Sequence, residues 1–298
     1  MTGYLINIAG YLIHFRPTDR DLNLSPSESQ EGFLKSEGDP DLTIDVTTGR
    51  VEIPPKAFPV FRAPYVEEVN GVQVKKSDRF WTVYSLEDDI LIHTTLPLSE
   101  TDREALLFIN PREKRWSLVI DTDSIEPDPM RYPLDGLIIY YITALNGDIF
   151  IHGSGVEQRG RGYIFTGASG RGKSTIARIF SEAGARVIHD DRLVIRKTGG
   201  GYRMYNTPVY SDEKPYDAEL SNIFVIDHGI ENIAVSYLPV EAIGAVMANC
   251  IQHHWNRELI GTLTESLHLF TAAVPVSRLK FLPDRDVVNY IEESFGQR

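Results

Sequence analysis

Short apolar and aromatic runs, separated by polar and turn-forming residues, fill the first part of the chain. These runs are rich in β-branched and aromatic side chains, which favour strands. A long interval, Pro17–Asp41, is dense in Ser, Asp, Glu, Gly and Pro, and it predicts a surface loop. We therefore predict a β-rich N-terminal region over residues 1–130, with strands at 4–15 (broken at Gly10), 79–84, 90–94 and 116–121.

The pattern changes near Glu126–Pro133, and residues 131–298 alternate between strand-like and helical spacing. Within Lys173–Ala183, for example, Ile176, Ile179 and Phe180 recur at helical spacing, and Gly184 suits the helix end. This alternation indicates an α/β domain over residues 131–298. It predicts helices at 134–146, 173–183, 240–255, 258–273 and 287–295, and strands at 149–152, 163–167, 186–189, 192–197, 202–205, 223–226 and 278–281.

Composition narrows the class of protein. The 298 residues carry 30 Lys and Arg against 42 Asp and Glu, a net charge of −12, which disfavours nucleic acid and anionic lipid as general partners. The one cysteine, Cys250, cannot form an intramolecular disulfide, and we interpret it as a small buried hydrophobe within a helix. The longest apolar run, Leu137–Leu145, is too short to span a membrane. These features predict a soluble cytoplasmic protein.

The strongest motif is a phosphate-binding loop. Residues 167–174 fit G-x-x-x-x-G-K-[ST] without a mismatch, between an apolar strand and an amphipathic helix. Glycines let successive backbone N–H groups turn inward to phosphate oxygens, and the following helix adds its positive end. Lys173 would contact β- and γ-phosphates, and the Ser174 hydroxyl is a hard ligand for Mg²⁺. The predicted nucleotide-binding residues are Gly167, Ala168, Ser169, Gly170, Arg171, Gly172, Lys173, Ser174 and Thr175.

Two further candidates flank the loop. Asp190 and Asp191 follow Lys173 after one predicted helix and one predicted strand, so a right-handed crossover returns them beside the loop if the two strands are neighbours. One carboxylate could then bind Mg²⁺ while the other faces the acceptor. His152 ends a predicted strand and could assist proton transfer, orient an Asp or bind metal; a structural role is the alternative.

Together these residues resemble the catalytic core of HPr serine kinase/phosphorylase. The match runs from Ile151-His152-Gly153 through the loop at 167–175 to Asp190-Asp191. The resemblance implies a P-loop core with a mixed sheet, a fold shared with ATP-dependent phosphoenolpyruvate carboxykinase. It also implies that His152 is functional and that the acidic pair supplies a catalytic base and a metal ligand.

The remainder of residues 133–293 is similar to a branch of HPr-kinase-related proteins. These carry a T-P-W-H-G-E-like segment and a V-P-V-x-x-L-x-F pattern, which here are Thr207–Asp212 and Val274–Phe281. Residues 209–211 replace Trp-His-Gly, and the E-x-R-G-L-G stretch of true HPr kinases has no clear match. Asp212 or Glu213 is a candidate second metal ligand, with an exposed turn as the alternative.

The leading hypothesis is a kinase that uses ATP and Mg²⁺ to phosphorylate a hydroxyl, with serine favoured. The acceptor would be a protein, peptide or small molecule. Asp190 and His152 would take part in removing the proton of the acceptor hydroxyl, and Lys173 would contact the phosphates. Ser174 and Asp191 would hold the metal. A nucleotide-binding regulatory protein with little transfer is the alternative, and a carboxykinase-type lyase is a weaker one. Oligomeric state, including a homo-oligomer, stays open.

Overall fold

The computed structural model describes residues 3–69, 72–211, 213–253 and 255–296. The chain forms two compact units, one of Met1–Ile139 with Pro208–Lys214 and the other of Tyr140–Thr207 with Pro215–Arg298. The domain boundary that the sequence suggests, at residues 130/131, stays a prediction. Among the described residues, no helix combines the length and apolar character needed to cross a membrane.

The first unit contains a nine-stranded mixed sheet in the order β3-β1-β2-β4-β9-β8-β7-β6-β5. Strands β2, β4 and β9 are mutually parallel neighbours, and the other neighbours run antiparallel. The strands predicted around residues 4–15, 79–84, 90–94 and 116–121 are confirmed. The bounds are β1 Tyr4–Ile8, β2 Tyr11–Pro17, β3 Leu34–Lys35, β4 Leu42–Thr48, β5 Phe58–Val69, β6 Val72–Leu86, β7 Asp89–Thr95, β8 Asp102–Ile109 and β9 Arg115–Thr122.

The interval Pro17–Asp41 departs from the predicted loop, because it contains a short helix, α1 (Glu28–Glu31), and strand β3. Residue Gln30 of α1 is buried, and its amide donates to the Asp128 carboxylate at 3.0 and 3.1 Å. A buried contact to a residue so distant in sequence outweighs the local turn-forming composition. The loop prediction was therefore wrong for this part of the interval.

The second unit contains a seven-stranded mixed sheet in the order β11-β10-β12-β13-β14-β16-β15, with β11 also paired to β14. Strands β11, β14 and β16 are parallel, and the remaining neighbours are antiparallel. The mixed α/β class is confirmed. The strands are β10 Ile149–Gln158, β11 Arg161–Thr166, β12 Arg186–Thr198, β13 Gly201–Tyr205, β14 Asp217–His228, β15 Ile233–Ser236 and β16 Val276–Phe281. Helix α2, Leu134–Leu145, contains the boundary between the two units at Ile139/Tyr140. The helices of the second unit that follow are α3 Lys173–Glu182, α4 Pro239–Met247, α5 Arg257–Ala273 and α6 Asp286–Phe295.

Two strands differ from the sequence prediction. Residues 186–189 and 192–197 form one strand, β12, so the acidic pair lies inside a strand rather than at its tip. Strand β10 continues past His152 through Gly153 and Gly155, because β11 and β12 pair with it on both sides. At Gly153 a Cβ would lie 3.0 Å from the Phe165 carbonyl oxygen, so the glycine here serves close backbone packing rather than a turn.

Side chains alternate between the two faces of this sheet and build two cores. One face packs Ile164 and Ile223 against α4 and α5, and the other packs Phe165 and Phe224 against α3 and α6. The rings of Phe165 and Phe224 stack at 5.7 Å, and Phe180 of α3 lies 5.2 Å from Phe165. This second core fixes α3 behind the end of β11.

Helix α4 ends at Met247 instead of continuing to residue 255, so Cys250 lies outside a helix. Its backbone pairs with Ile151 of β10 in an isolated bridge, a sheet contact that competes with helix continuation. Burial raises the pKa of the Cys250 thiol to about 12. The helical placement was wrong, and the raised thiol pKa is that of an unreactive group.

Replacing Phe224 by Ala should destabilise the second unit by about 3–5 kcal/mol, because a buried ring is lost and a cavity remains between α6 and the sheet. Urea denaturation followed by circular dichroism measures this change. Leu269→Ala, at an exposed position of α5, is the matched control and should change the unfolding free energy by less than about 0.5 kcal/mol. Equal effects of the two substitutions would contradict the described core.

Candidate functional site

The loop between β11 and α3 has the conformation that its glycines permit. Strand β11 ends at Thr166 and helix α3 begins at Lys173. Gly170 and Gly172 have φ of 76° and 94°, in the left-handed region that favours glycine. A Cβ on Gly172 would lie 3.0 Å from the Phe281 ring. Positive φ and close packing therefore both require glycine at position 172, directly before the helix.

Lys173 turns back over this loop. Its ammonium donates to the carbonyl oxygens of Gly167 at 2.9 Å and Ala168 at 3.2 Å. Burial lowers the pKa of Lys173 from its ordinary value, while the negative charges of Asp190 and Asp191 act in the opposite direction. The lysine and the acidic pair therefore share one electrostatic environment.

The acidic pair reaches this environment through the register of two antiparallel strands. Strand β10 separates β11 from β12, so the loop strand and the returning strand are not neighbours, the condition on which the sequence argument depended. Across β10 and β12, Gly153 pairs with Asp191 and Ser154 pairs with Asp190, next to a register shift at Gly155/Val156. The two strands that flank β10 are parallel to each other, since each is antiparallel to it.

Asp191 is bracketed by two basic side chains. His152 Nδ1 lies 3.3 Å from Asp191 Oδ1, and Arg192 Nε donates to Asp191 Oδ2 at 3.1 Å. Burial by itself would raise the pKa of Asp191, but the hydrogen bond with His152 and the charge of Arg192 outweigh it, so the pKa is lowered. Asp191 is thus held in its ionised form, as a ligand for a hard cation requires.

Asp190 has a different partner, which the sequence did not indicate. The hydroxyl of Ser154, fully buried on β10, donates to Asp190 Oδ1. Ser154 stands between two glycines inside the segment that carries the family resemblance, but that resemblance assigns it no role. The contact follows from the register in which β10 pairs with β12, and this register cannot be predicted from the sequence of one strand.

One cavity of about 420 Å³ brings most of the predicted residues together. The cavity joins the phosphate-binding loop, the start of α3, and facing positions of β10 and β12. Gly167, Ala168 and Arg171 belong to the loop but are not part of the cavity lining. The lining residues are His152, Gly153, Ser154, Ser169, Gly170, Gly172, Lys173, Ser174, Thr175, Asp190 and Asp191.

Polar contacts link the loop to the end of β14. Arg171 forms an ion pair with Asp227 at 2.6 Å, and Arg278 contacts the same carboxylate at 3.1 Å. His228 Nε2 lies 3.1 Å from the Gly170 carbonyl oxygen. No motif in the sequence marks Asp227 or His228. Both residues lie beside the loop because β14 pairs in parallel with β11, a pairing that the sequence does not reveal.

The oxygen donors in the cavity fit Mg²⁺. Among the described residues no group of three or more His, Cys, Asp or Glu side chains forms a ready-made metal cage. Mg²⁺ needs no such cage, because it is usually bound by one or two protein oxygens together with phosphates and water. Ser174 and Asp191 supply oxygens of this kind. Asp212 lies outside the described residues, and a role for Glu213, in the first unit, stays a prediction.

Comparison with known proteins shows what this chain is similar to in sequence. The chain is 28% identical over 172 residues to the HPr kinase/phosphorylase of Chlorobium luteolum, covering 52% of this chain and 48% of that protein. It is 26% identical over 186 residues to the HPr kinase/phosphorylase of Chloroherpeton thalassium, covering 53% and 50%. These matches confirm the resemblance seen in the motifs: the chain is similar in sequence to HPr kinase/phosphorylases.

A family model matches a shorter part of the chain. Residues 130–258, which include the loop, His152 and the acidic pair, match the family described as SynChlorMet cassette protein ScmC. A solved structure of the Hpr(Ser) kinase/phosphatase from Coxiella burnetii is 9% identical with a TM-score of 0.28, over 48% of this chain and 91% of that one, which is too weak to bear on the fold. The chain spans about half the length of the curated relatives it matches.

Gly172→Ala should weaken binding of Mg²⁺-ATP at least tenfold, because the left-handed backbone costs about 1–2 kcal/mol with a Cβ and the ring of Phe281 is in contact. Isothermal titration calorimetry measures this affinity. Gly199→Ala, in the β12–β13 turn with open space around its Cβ position, is the control and should bind like the wild type. Unchanged affinity in Gly172→Ala would contradict a nucleotide site at this loop.

Proposed function

We propose that the protein is an ATP- and Mg²⁺-dependent kinase that transfers the γ-phosphoryl group to a hydroxyl. The favoured acceptor is a serine of a protein or peptide, or the hydroxyl of a small molecule. One observation carries the proposal: the loop, Lys173 and both carboxylates of the acidic pair line a single cavity. The similarity to proteins named HPr kinase/phosphorylase supports the same class of reaction.

The loop supplies the phosphate site in this proposal. Backbone N–H groups after Gly167 and the positive end of α3 face the phosphates, as in other P-loops. Lys173 would exchange its two carbonyl contacts for phosphate oxygens. Ser174 and Asp191 would hold Mg²⁺, which when bound neutralises charge that develops on the phosphate oxygens.

The acidic pair supplies the proton acceptor. The hydroxyl oxygen of the substrate forms a bond to the γ-phosphorus while the bond from that phosphorus to the β,γ-bridging oxygen breaks, and ADP leaves. The proton of that hydroxyl passes to the Asp190 carboxylate. His152 keeps Asp191 oriented through their 3.3 Å contact, so the two carboxylates have separate tasks. Positioning and electrostatics dominate such a reaction.

Lys173→Ala should lower phosphoryl transfer by several orders of magnitude while leaving the fold intact, because the loop loses its charge on the β- and γ-phosphates. Transfer of radiolabelled phosphate from ATP to a peptide and metabolite library measures the rate. Lys197→Ala, at an exposed position of β12, removes an equivalent charge away from the loop and should keep the wild-type rate. Equal losses in both variants would argue against the assigned role.

Asp190→Asn should lower kcat at least a hundredfold with little change in nucleotide affinity, since the amide retains the shape but cannot accept the proton. The same transfer assay gives kcat, and calorimetry gives the affinity for Mg²⁺-ATP. Wild-type activity in this variant would eliminate Asp190 as the base. Tight nucleotide binding by the wild type with no transfer to any acceptor would instead favour a nucleotide-binding regulatory protein.

A further inference from the structure

Ser154 occupies an unusual place in the cavity wall. It is fully buried on β10, yet it lines the cavity together with Lys173 and the acidic pair. Its hydroxyl donates to Asp190 Oδ1. Most side-chain hydrogen bonds are made to the backbone or to water. The Ser154 hydroxyl instead donates to a carboxylate of the proposed active site.

Backbone pairing, rather than side-chain flexibility, sets this contact. Ser154 and Asp190 are direct partners in the antiparallel ladder of β10 and β12. Directly opposed residues on one face have Cβ atoms about 4.5–5.5 Å apart, which is within reach of a serine hydroxyl and an aspartate oxygen. On its other side Ser154 is paired with Phe165 of β11, so the strand is held from both edges.

The contact made by β10 differs between the two carboxylates. Asp191 lies beside the His152 imidazole of β10 and accepts from Arg192 of its own strand. Asp190 accepts from the Ser154 hydroxyl of β10, and this hydrogen bond fixes the direction of one carboxylate oxygen. A fixed carboxylate meets an incoming hydroxyl in one orientation, and misplacement of such groups by about 1 Å can cost up to a hundredfold in rate.

We propose that Ser154 is a positioning residue that orients the Asp190 carboxylate toward the acceptor hydroxyl. This inference rests on the proposed kinase function for its catalytic meaning. Its structural content, that the Ser154 hydroxyl sets the orientation of Asp190, can be tested even if no phosphoryl acceptor is found.

The test uses Ser154→Ala and Ser154→Cys in the full chain. The first removes the donor, and the second keeps similar volume with a weaker donor. Ser277→Ala is the matched control: Ser277 is also fully buried in the same sheet, but its hydroxyl has no hydrogen-bond partner among the described residues. Removing that hydroxyl should leave activity unchanged and the melting temperature equal or higher.

Three measurements decide the matter: melting temperature, the kcat and KM of transfer with Mg²⁺-ATP, and crystal structures of the wild type and Ser154→Ala. We expect kcat to fall about 10- to 100-fold in Ser154→Ala and less in Ser154→Cys, with KM for ATP within about twofold of the wild type. We also expect the Asp190 carboxylate to rotate or shift by about 1 Å or more in the Ser154→Ala crystal.

An Asp190 carboxylate that keeps its position in Ser154→Ala would overturn the inference, as would equal kcat in folded Ser154→Ala and wild type. Phosphorylation of Ser154 itself, seen by intact-mass and peptide mass spectrometry after incubation with ATP, would also overturn it, since the hydroxyl would then be an acceptor. If the wild type transfers no phosphate to any acceptor, the kinase proposal fails, and the crystal structures alone decide whether Ser154 orients Asp190.

Discussion

The antiparallel pairing of β10 with β12 is the constraint on which the rest of the site depends. Its register sets Gly153 opposite Asp191 and Ser154 opposite Asp190. A slip of one residue would send both carboxylates to other partners and reverse the faces of the strand. The register shift at Gly155/Val156 lies directly beside these pairs, where a local irregularity alters side-chain direction.

The second structural requirement is a rigid support for the loop. Strand β11, which leads into it, is paired on one side with β10 and on the other with the parallel strand β14. Helix α3 is packed by Phe180 into a core shared with Phe165 and Phe224. The loop therefore connects a strand that is paired on both sides to a helix that is packed in the core. The ion pair of Arg171 with Asp227 adds a tether at its rim.

The parts of the site that the sequence predicted are those with local determinants. Glycines at 170 and 172, followed by Lys173 and Ser174, carry their own backbone and chemical requirements, so a short segment was enough. The sequence also predicted that the acidic pair would approach the loop, but it did so by assuming that β11 and β12 are neighbours. Strand β10 lies between them, and this long-range pairing cannot be predicted from local sequence. Apolar periodicity located most of the helices in the same local way.

The features that the sequence missed arise across strands. Ser154 has no local signal, and its significance comes only from the residue opposite it. Asp227 and His228 reach the loop through the parallel pairing of β14 with β11, which strand composition does not encode. The sequence predicted that the strand would end at His152, whereas pairing on both sides continues β10 through Gly153 and Gly155. In each case a long-range strand pairing determined what the local sequence did not indicate.

The central claim is that the acidic pair and the phosphate-binding loop act on one bound nucleotide. A crystal structure of the protein with Mg²⁺ and a non-hydrolysable ATP analogue tests it most directly. The account predicts the triphosphate in the 167–175 loop, with the metal at about 2.0–2.1 Å from Ser174 Oγ and reached by Asp191 directly or through one water. A triphosphate bound elsewhere, or a bound metal more than about 10 Å from both carboxylates of the pair, would contradict it.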